Sequence, residues 1–465
     1  MRIKIKICML SLGITLLLIE SSAATDYYVR PPETCTNTTA QAPYTNWAMA
    51  ATNIQWVIDL AQDDDTITVS NGTYDLNTTI TMQYGFVMQS ADYSAREKYP
   101  ILNGGGANIT GVIVSHDNAV LCGFTLKDFG TSSGQYGTKL YAGTVTDCIF
   151  TGCYGGAYLQ GLDLVLSNCV AVNSKEYGFR INASSNVLLV NSHSYNNQDS
   201  GIRLNYATNA NIRCCVFSNN PCAGIYVSAG MTVAITDCDI VNNTNNNHGG
   251  GIRIASGSTT TTVERCRIIG NIIPATYRGG GIACYESGAL LSIRNTLIAG
   301  NESSHRGGGV YMLKANTLYM ENCTVVSNIA GANFYAGGVD FHDTTPSGYI
   351  SNSIIYYNRN PQGFKDLYAE SAAIPNIKLS HICTPAGAWE GIIDNHIVAE
   401  PEFVDLEAGN FELCSGSPCI NTGANHDGME EALDLAGRPR IDRVFRQVDI
   451  GCYEFLPRIT IYNIR

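Results

Sequence analysis

The sequence predicts an all-β chain: a right-handed parallel β-helix (solenoid) with a short N-terminal capping helix and a C-terminal cap region. Three observations predict it. First, residues 232–342 repeat one phrase four times: VAITDCDIVNN…HGGGIRI, TVERCRIIGN…YRGGGIAC, LSIRNTLIAGN…HRGGGVYM and LYMENCTVVSN…YAGGVDF. Each copy holds two strand-like runs, an Asn-marked turn and a glycine-rich loop. Second, aligning the phrase in both directions gives a column of Phe124, Cys148, Cys169, His193, Cys215, Cys238, Cys266, Thr296, Cys323 and Ser353, with members 21 to 30 residues apart. Five positions later stand Asn220, Asn243, Asn271, Asn301, Asn328 and Asn358. Third, alternation is strict after each glycine, with Ile202/Leu204, Ile225/Val227, Ile252/Ile254, Ile282/Cys284, Val310/Met312 and Val339/Phe341 on one side. Like stacks on like over turns of variable length. The right hand follows from crossover chirality.

The elements follow in order. Arg2, Lys4 and Lys6 precede an apolar run, and small residues reach Ala24, so residues 1–24 read as a secretory signal peptide. The run is too short to prefer a membrane span, and no later segment is long and apolar enough. Residues 25–390 read as the N-terminal cap and β-helix, 391–455 as the C-terminal cap and 456–465 as a tail. Residues 25–45 are an irregular lead. Thr52-Asn53-Ile54-Gln55 reads as a capping box opening a short amphipathic helix that carries Ile54, Val57, Ile58 and Ala61. Strand-like runs follow at 65–74, closed by an Asn-Gly turn, and at 78–90, 98–103 and 110–115. Asn220, Asn243 and their equivalents are expected in left-handed turns while bonding to their stacked copies. Asn168, Asp237, Asn295, Asn322 and Asn352 mark a second bend.

Composition narrows the partners. The full chain of 465 residues carries a net charge of −12. Removing residues 1–24 takes three basic groups and one acidic one from totals of 28 and 40, leaving 25 and 39 and a net −14. Such a chain repels nucleic acid and anionic membrane. Sixteen of the 17 cysteines lie outside the signal. Export favours disulfides, but stacked parallel side chains rarely point at one another correctly, so the column reads as buried free thiols. Cys414 and Cys419 are the disulfide candidate. Cysteine and histidine spacing provides no metal site. No cofactor is evident; Ca²⁺ at Asp63-Asp64-Asp65 is the one opening, against a solvated turn. The chain is expected to be a monomer.

DTITVSNGTY with its preceding helix resembles the opening of pectin-lyase-like right-handed β-helix proteins. The rungs NSKEYGFRINASSN and NNQDSGIRLNYATN resemble carbohydrate-binding and sugar-hydrolase-type repeats. Later rungs such as IIGN…GGGI are similar to polymorphic outer-membrane protein repeats. The ending AEPEFVD…GSPCINTG…DLAGRPR…VDIGCYEF resembles the terminal domain of bacterial "choice-of-anchor Q" proteins. The resemblance implies a protein that is secreted or at the bacterial cell surface after signal-peptide cleavage.

Chemistry can sit in two places. Tyr158, Arg180, Arg203, Tyr226, Arg253, Ala283, Tyr311 and Asp340 form an outward row, with Gln160, Asn182, Asn205, Tyr285 and His342 in the next. Aromatic faces stack on sugar rings, and Arg forks hold carboxylates or sulfates. Outward strand positions also favour Tyr and Arg for propensity alone. The second place is a rim just before the glycines: Asn247-His248, Tyr277-Arg278, His305-Arg306 and Phe334-Tyr335. These loops should overhang the row. The first reading is binding of an acidic or sulfated polysaccharide along Tyr158, Arg180, Arg203, Tyr226, Arg253, Tyr285 and Tyr311. The alternatives are a polysaccharide lyase on uronic-acid polymers and a surface adhesin or spacer. In a lyase, Arg278 or Arg306 neutralises a carboxylate and His248, His305 or Tyr277 takes the α-proton. The paired aspartates of a hydrolase are missing, so a lyase is the favoured enzyme class.

Overall fold

The computed structural model describes residues 4–9, 15–20, 23–32, 40–228, 232–255, 257–343, 345–389, 392–441 and 446–456. Within 1–24, Lys4–Met9 and Thr15–Glu20 pair antiparallel. The rest of the signal-peptide stretch, except residues 23 and 24, lies outside the described residues, as does the tail from 457. The chain forms two compact units, Met1–Arg180 with Ser184–Leu188, and Ile181–Ala183 with Leu189–Arg465. Each is built of stacked parallel turns of right-handed β-helix.

In the first unit, Thr66–Val69, Val87–Ser90, Val120–Cys122, Thr144–Thr146 and Val165–Ser167 stack in parallel register. So do Ile80–Met82, Val112–Val114, Tyr136–Leu140 and Gly155–Leu159 on another face. The lead is not irregular throughout: Asp26–Val29 is a strand that pairs with Thr66–Val69 and begins the stack. The helix spans Ile54–Ile58 and buries Ile54, Val57 and Ile58. Its cap differs from the expected box. Asn53, not Thr52, is the N-cap and accepts from the Gln55 N–H at 2.8 Å. Gln55 reaches forward to Asp59 at 2.7 Å instead of back. Nor is Asp63-Asp64-Asp65 a solvated turn. Asp63 and Asp65 are buried, accepting from the backbone N–H groups of Gly85 at 2.5 Å, Thr25 at 2.8 Å and Gln62 at 2.7 Å.

In the second unit each turn has a ladder-sheet strand after the glycines and two strands of a bent sheet. The ladder-sheet strands include Ile202–Asn205, Ile225–Val227, Ile252–Ile254, Ile282–Cys284, Val310–Leu313, Val339–His342 and Leu367–Ala369. Their inward aliphatics are fully or almost fully buried, which holds the rod together but fixes no register, since apolar contact is non-directional. Between the two bent-sheet strands one residue takes left-handed φ: Cys214, Asp237, Arg265, Asn295, Asn322 and Asn352 in successive turns. That bend matches expectation.

The Asn column departs from it in one respect. The left-handed residues at that corner are Asn219, Asn242, Gly270, Gly300, Ser327 and Tyr357, one position earlier. Asn220, Asn243, Asn271, Asn301, Asn328 and Asn358 turn inward and are at most 1% exposed. Each Oδ1 from Asn243 to Asn358 accepts the backbone N–H and the Nδ2 of the preceding Asn at 2.8–3.1 Å. The Nδ2 groups of Asn243 onward also donate to a carbonyl of the rung below, as Asn271 does to Ile240 at 2.9 Å. Asp366 ends the column by accepting from Asn358 at 2.8 Å.

The cysteine column works similarly. All 15 cysteines from Cys122 to Cys452 are free. Cys266 Sγ donates to the Glu264 carbonyl at 3.3 Å, and Thr296 Oγ1 makes the same bond to Arg294 at 2.7 Å. Cys414 and Cys419 are therefore not bridged, a correction with a packing cause. Cys419 is buried among Ile354, Cys383, Leu413 and Ile450, whereas Cys414 is half-buried at a cavity wall beside Val404 and Arg438.

The C-terminal stretch was expected as a compact end cap. It instead lies along the flank of the second unit. Phe411 and Cys452 cover Leu297, Ala299 and Val326 of the bent sheet, joined by Phe403, Leu435 and Tyr453. A hairpin of Phe403–Asp405 and Asn410–Leu413 is its last regular element. Its motif residues are structural. Buried Arg440 pairs with Glu454 at 3.2 Å and donates to the carbonyls of Asp449 and Gly451. Buried Asp434 accepts from the N–H groups of Ala436, Arg438 and Glu454.

The Asn column makes a quantitative expectation. Asn271→Ala removes partners of buried donors and acceptors in the two neighbouring rungs and should cost about 3 kcal/mol in urea unfolding. Cys266→Ser keeps a donor for the Glu264 carbonyl, as Thr296 does, and should cost less than about 1.5 kcal/mol. Equal costs would refute the special role of the amides.

Candidate functional site

The expected row exists in the second unit. Strand register places Arg203 beside Tyr226, Tyr226 beside Arg253, and then Ala283, Tyr311, Asp340 and Tyr368 in turn. In the first unit, Lys139 is in register with Tyr158, and Arg180 reaches the Tyr136 hydroxyl at 3.2 Å and lies 5.8 Å from the Tyr158 ring.

Along the second unit the row changes character. Arg203, Tyr226 and Arg253 are half-buried, and both guanidinium groups lie on the Tyr226 ring, at 4.8 and 4.5 Å from its centre. Arg253 also donates to the Tyr285 hydroxyl at 2.7 Å. Further along, Ala283, Tyr311 and Asp340 are 0% exposed. The rim covers them, as the sequence led us to expect.

The rim is itself stacked. Ile272–Ile273, Glu302–Ser303, Ile329–Ala330 and Arg359–Asn360 form a small parallel sheet inside the loops. It runs so close to the ladder sheet that a Cβ at Gly280 would lie 2.5 Å from the Glu302 carbonyl oxygen. This is what the repeated glycines are for. The loop residues just before them align from rung to rung: the Gly249 N–H donates to the Arg278 carbonyl, and that of Gly279 to the Arg306 carbonyl.

These alignments gather the candidates unequally. His248 stacks on Tyr285 at 4.6 Å, meets Tyr277 edge-on at 5.1 Å and lies parallel to Tyr311 at 6.3 Å. Arg278 lies 5.7 Å from the Tyr311 ring centre. His305 stacks on Tyr335 at 5.7 Å. Tyr277 is exposed. Arg306 is different, and here the expectation needs correction. It is 1% exposed, its Nε and Nη2 donate to Asp340 Oδ1 at 3.1 and 2.9 Å, and Nη2 reaches Glu370 at 3.4 Å. His342 contacts both Arg306 and Glu370, and the Tyr335 ring lies 3.7 Å from the guanidinium carbon. A guanidinium enclosed by two carboxylates and a ring cannot neutralise a substrate carboxylate. Of the two arginines proposed for that task, Arg278 remains.

The network that encloses Arg306 was only half legible. Asp340 and His342 belong to the outward rows and Tyr335 to the rim, but Glu370 and Tyr368 join through the fold. Glu370 lies beyond the point where the repeat fades. Burial raises the Asp340 carboxyl to about 6, against the pull of Arg306. Burial lowers the His248 imidazole to about 4, and the charges of Arg278 and Arg253 push the same way. His305 and His342 are lowered too, again by burial first. The buried Tyr311 hydroxyl has no hydrogen-bond partner. Among the described residues no group of three or more His, Cys, Asp or Glu could hold a metal ion, and no helix is long and apolar enough to cross a membrane.

Residues 100–268 match the sequence family described as "Right handed beta helix region". No curated protein sequence matches the chain. The structure of the PL6 family alginate lyase AlyGC is similar over 94% of this chain and 59% of that one, with TM-score 0.54 and 12% identity. The chain thus spans less than two thirds of that lyase. Pectate lyase Pel9A aligns over 94% and 97% of the two chains, with TM-score 0.46 and 14% identity. The mannuronan C-5 epimerase AlgE4 A-module of Azotobacter vinelandii aligns over 75% and 93%, with TM-score 0.46 and 14% identity. The chain is a right-handed parallel β-helix, and at such identities the likeness extends to the fold alone.

The lowered His248 value sets a pH dependence. An unfolded histidine titrates near 6.5, so between about pH 6.5 and about pH 4 the unfolded chain binds more protons than the folded one. Stability from this group is present above pH 6.5 and is lost as pH falls through that window. His248→Gln lacks the term. The stability gap between wild type and variant should therefore narrow from pH 7 to pH 4 in urea unfolding. A gap that stays constant refutes a buried neutral imidazole.

Proposed function

We propose that the chain binds an anionic polysaccharide along the ladder sheet, with Arg253 and Arg278 holding its carboxylates or sulfates and Tyr226 and Tyr285 positioning the Arg253 guanidinium. One contrast supports this reading. On the bent sheet three arginines are matched to acids: Arg265 to Asp237 at 2.7 Å, Arg267 to Asp239 at 3.7 Å and Arg294 to Glu321 at 3.7 Å. Arg253 and Arg278 instead lie against tyrosine rings, and neither has a carboxylate partner among the described residues. In a chain of net charge −12, leaving these two uncompensated favours an anion at that place. Stacked rungs repeat roughly every 4.8 Å, a regular spacing that suits a polymer.

A second reading, a lyase, has its own support at the rim. Arg278 can neutralise a uronate carboxylate and so make the adjacent C–H more acidic. The imidazoles of His248 and His305, held neutral at neutral pH, can accept that proton, and the imidazolium so formed can return it to the departing glycosidic oxygen. The C–H and C–O bonds break, a C=C bond forms, and no redox partner is needed.

Affinity electrophoresis in gels containing alginate, pectate or chondroitin sulfate tests the first reading. At least one polymer should retard the wild type, and Arg253→Ala/Arg278→Ala should weaken retardation by roughly tenfold or more, for two charge-assisted contacts. No retardation by any polymer, or an unaffected variant, would sink it. Incubating the same polymers with the protein and following the ultraviolet absorbance of unsaturated ends separates the two. Product that disappears in His248→Gln supports the lyase; retardation without product leaves binding alone.

A further inference from the structure

The opposite chemistry stands on the bent sheet. Tyr319 and Tyr349 occupy directly paired outward positions on successive rungs, following Ser292 in the same register. They are 49% and 41% exposed, and among the described residues neither ring is stacked on another ring or covered by a guanidinium as the ladder-sheet tyrosines are. They form the floor of a cavity of about 510 Å³ whose other walls include Leu290, Arg294, Glu321 and His426. His426 comes from the C-terminal stretch and closes one side by contacting Glu321. Arg294 pairs with the same carboxylate at 3.7 Å. The cavity therefore joins a two-ring apolar floor to a polar wall whose charges are already matched.

We infer that this cavity is a second saccharide site, distinct from the ladder sheet, and that it takes a neutral sugar chain. With rungs roughly 4.8 Å apart, the two phenol rings stand on one face as a two-part platform. The apolar face of a pyranose ring suits such a platform, while the Tyr hydroxyls, Ser292, Glu321 and His426 can exchange hydrogen bonds with ring hydroxyls. An anionic chain gains little here, because Arg294 is committed to Glu321. The C-terminal stretch acquires a role beyond covering the flank: it supplies one wall. This inference rests on none of the residues assigned to the anionic polymer.

Isothermal titration of the whole protein with maltohexaose, cellohexaose, xylohexaose and laminarihexaose tests it. At least one should bind. Tyr319→Ala/Tyr349→Ala should weaken that binding by roughly tenfold or more, while Tyr319→Phe/Tyr349→Phe, which keeps both rings, should retain most of it. Retardation by anionic polymers should be unchanged in both variants. Both substitutions are at exposed positions, and an unchanged unfolding midpoint shows that the fold is intact. Failure of all four sugars to bind overturns the inference, as does binding that survives loss of both rings. Sedimentation can overturn it in another way. A wild-type dimer that Tyr319→Ala/Tyr349→Ala converts to monomer would mean that the face meets a second copy of the chain instead.

Discussion

Everything in the second unit depends on the amide column from Asn220 to Asn358. Hydrophobic burial makes the turns stack, but aliphatic contacts tolerate sliding, whereas each Asn accepts two hydrogen bonds at one oxygen from one partner. A slip by one residue would leave these amides' partners unsatisfied in the core, and each buried orphan costs about 1–3 kcal/mol. The column therefore pins register. Pinned register is what brings Arg253 over Tyr226 and His248 beside Tyr285, residues that lie on different rungs.

Register also explains why the two faces differ although the same repeat builds both. Tyrosines and arginines on the ladder sheet are engaged with one another, and the rim folds over the later rungs until Tyr311 and Asp340 are wholly enclosed. There the fold accepts a buried cation and offsets it twice, with Asp340 and Glu370. Such a network is poor evidence for stability in itself, but it fixes the positions of Tyr335 and His342 and leaves Arg278 as the uncommitted cation at the edge. On the bent sheet Arg265, Arg267 and Arg294 are matched to acids, and Tyr319 and Tyr349 are exposed. The molecule presents a charged surface and a neutral one from the same periodic scaffold.

Several parts of this were readable beforehand, for a physical reason. A β-helix repeats its environment at each rung, so burial, turn and amide positions recur as residue columns. Cys266, Thr296 and Cys323 make the same bond to the carbonyl two residues back, and the column shows their equivalence. What repetition does not encode stayed hidden. The helix cap is a competition between neighbouring Thr52 and Asn53, settled by backbone direction. The Cys414–Cys419 pair is close in sequence, but the two side chains face different surroundings. The flank position of the C-terminal stretch arises because Leu297, Ala299 and Val326 offer an apolar outer face where polar residues would be expected.

By itself, then, the sequence determined the parallel solenoid, its inward columns, the outward Arg/Tyr row and the presence of a rim before the glycines. All are properties of a repeated local environment, and periodicity carries them. Only the tertiary structure decided which of those outward groups remain available. Arg306 and Arg278 hold the same place in successive rungs and are indistinguishable as sequence. Arg306 meets Asp340 and Glu370, contributed by segments 34 and 64 residues away, while Arg278 meets a ring and no acid among the described residues. Availability is set by what a neighbour distant in sequence contributes, and no repeat specifies that.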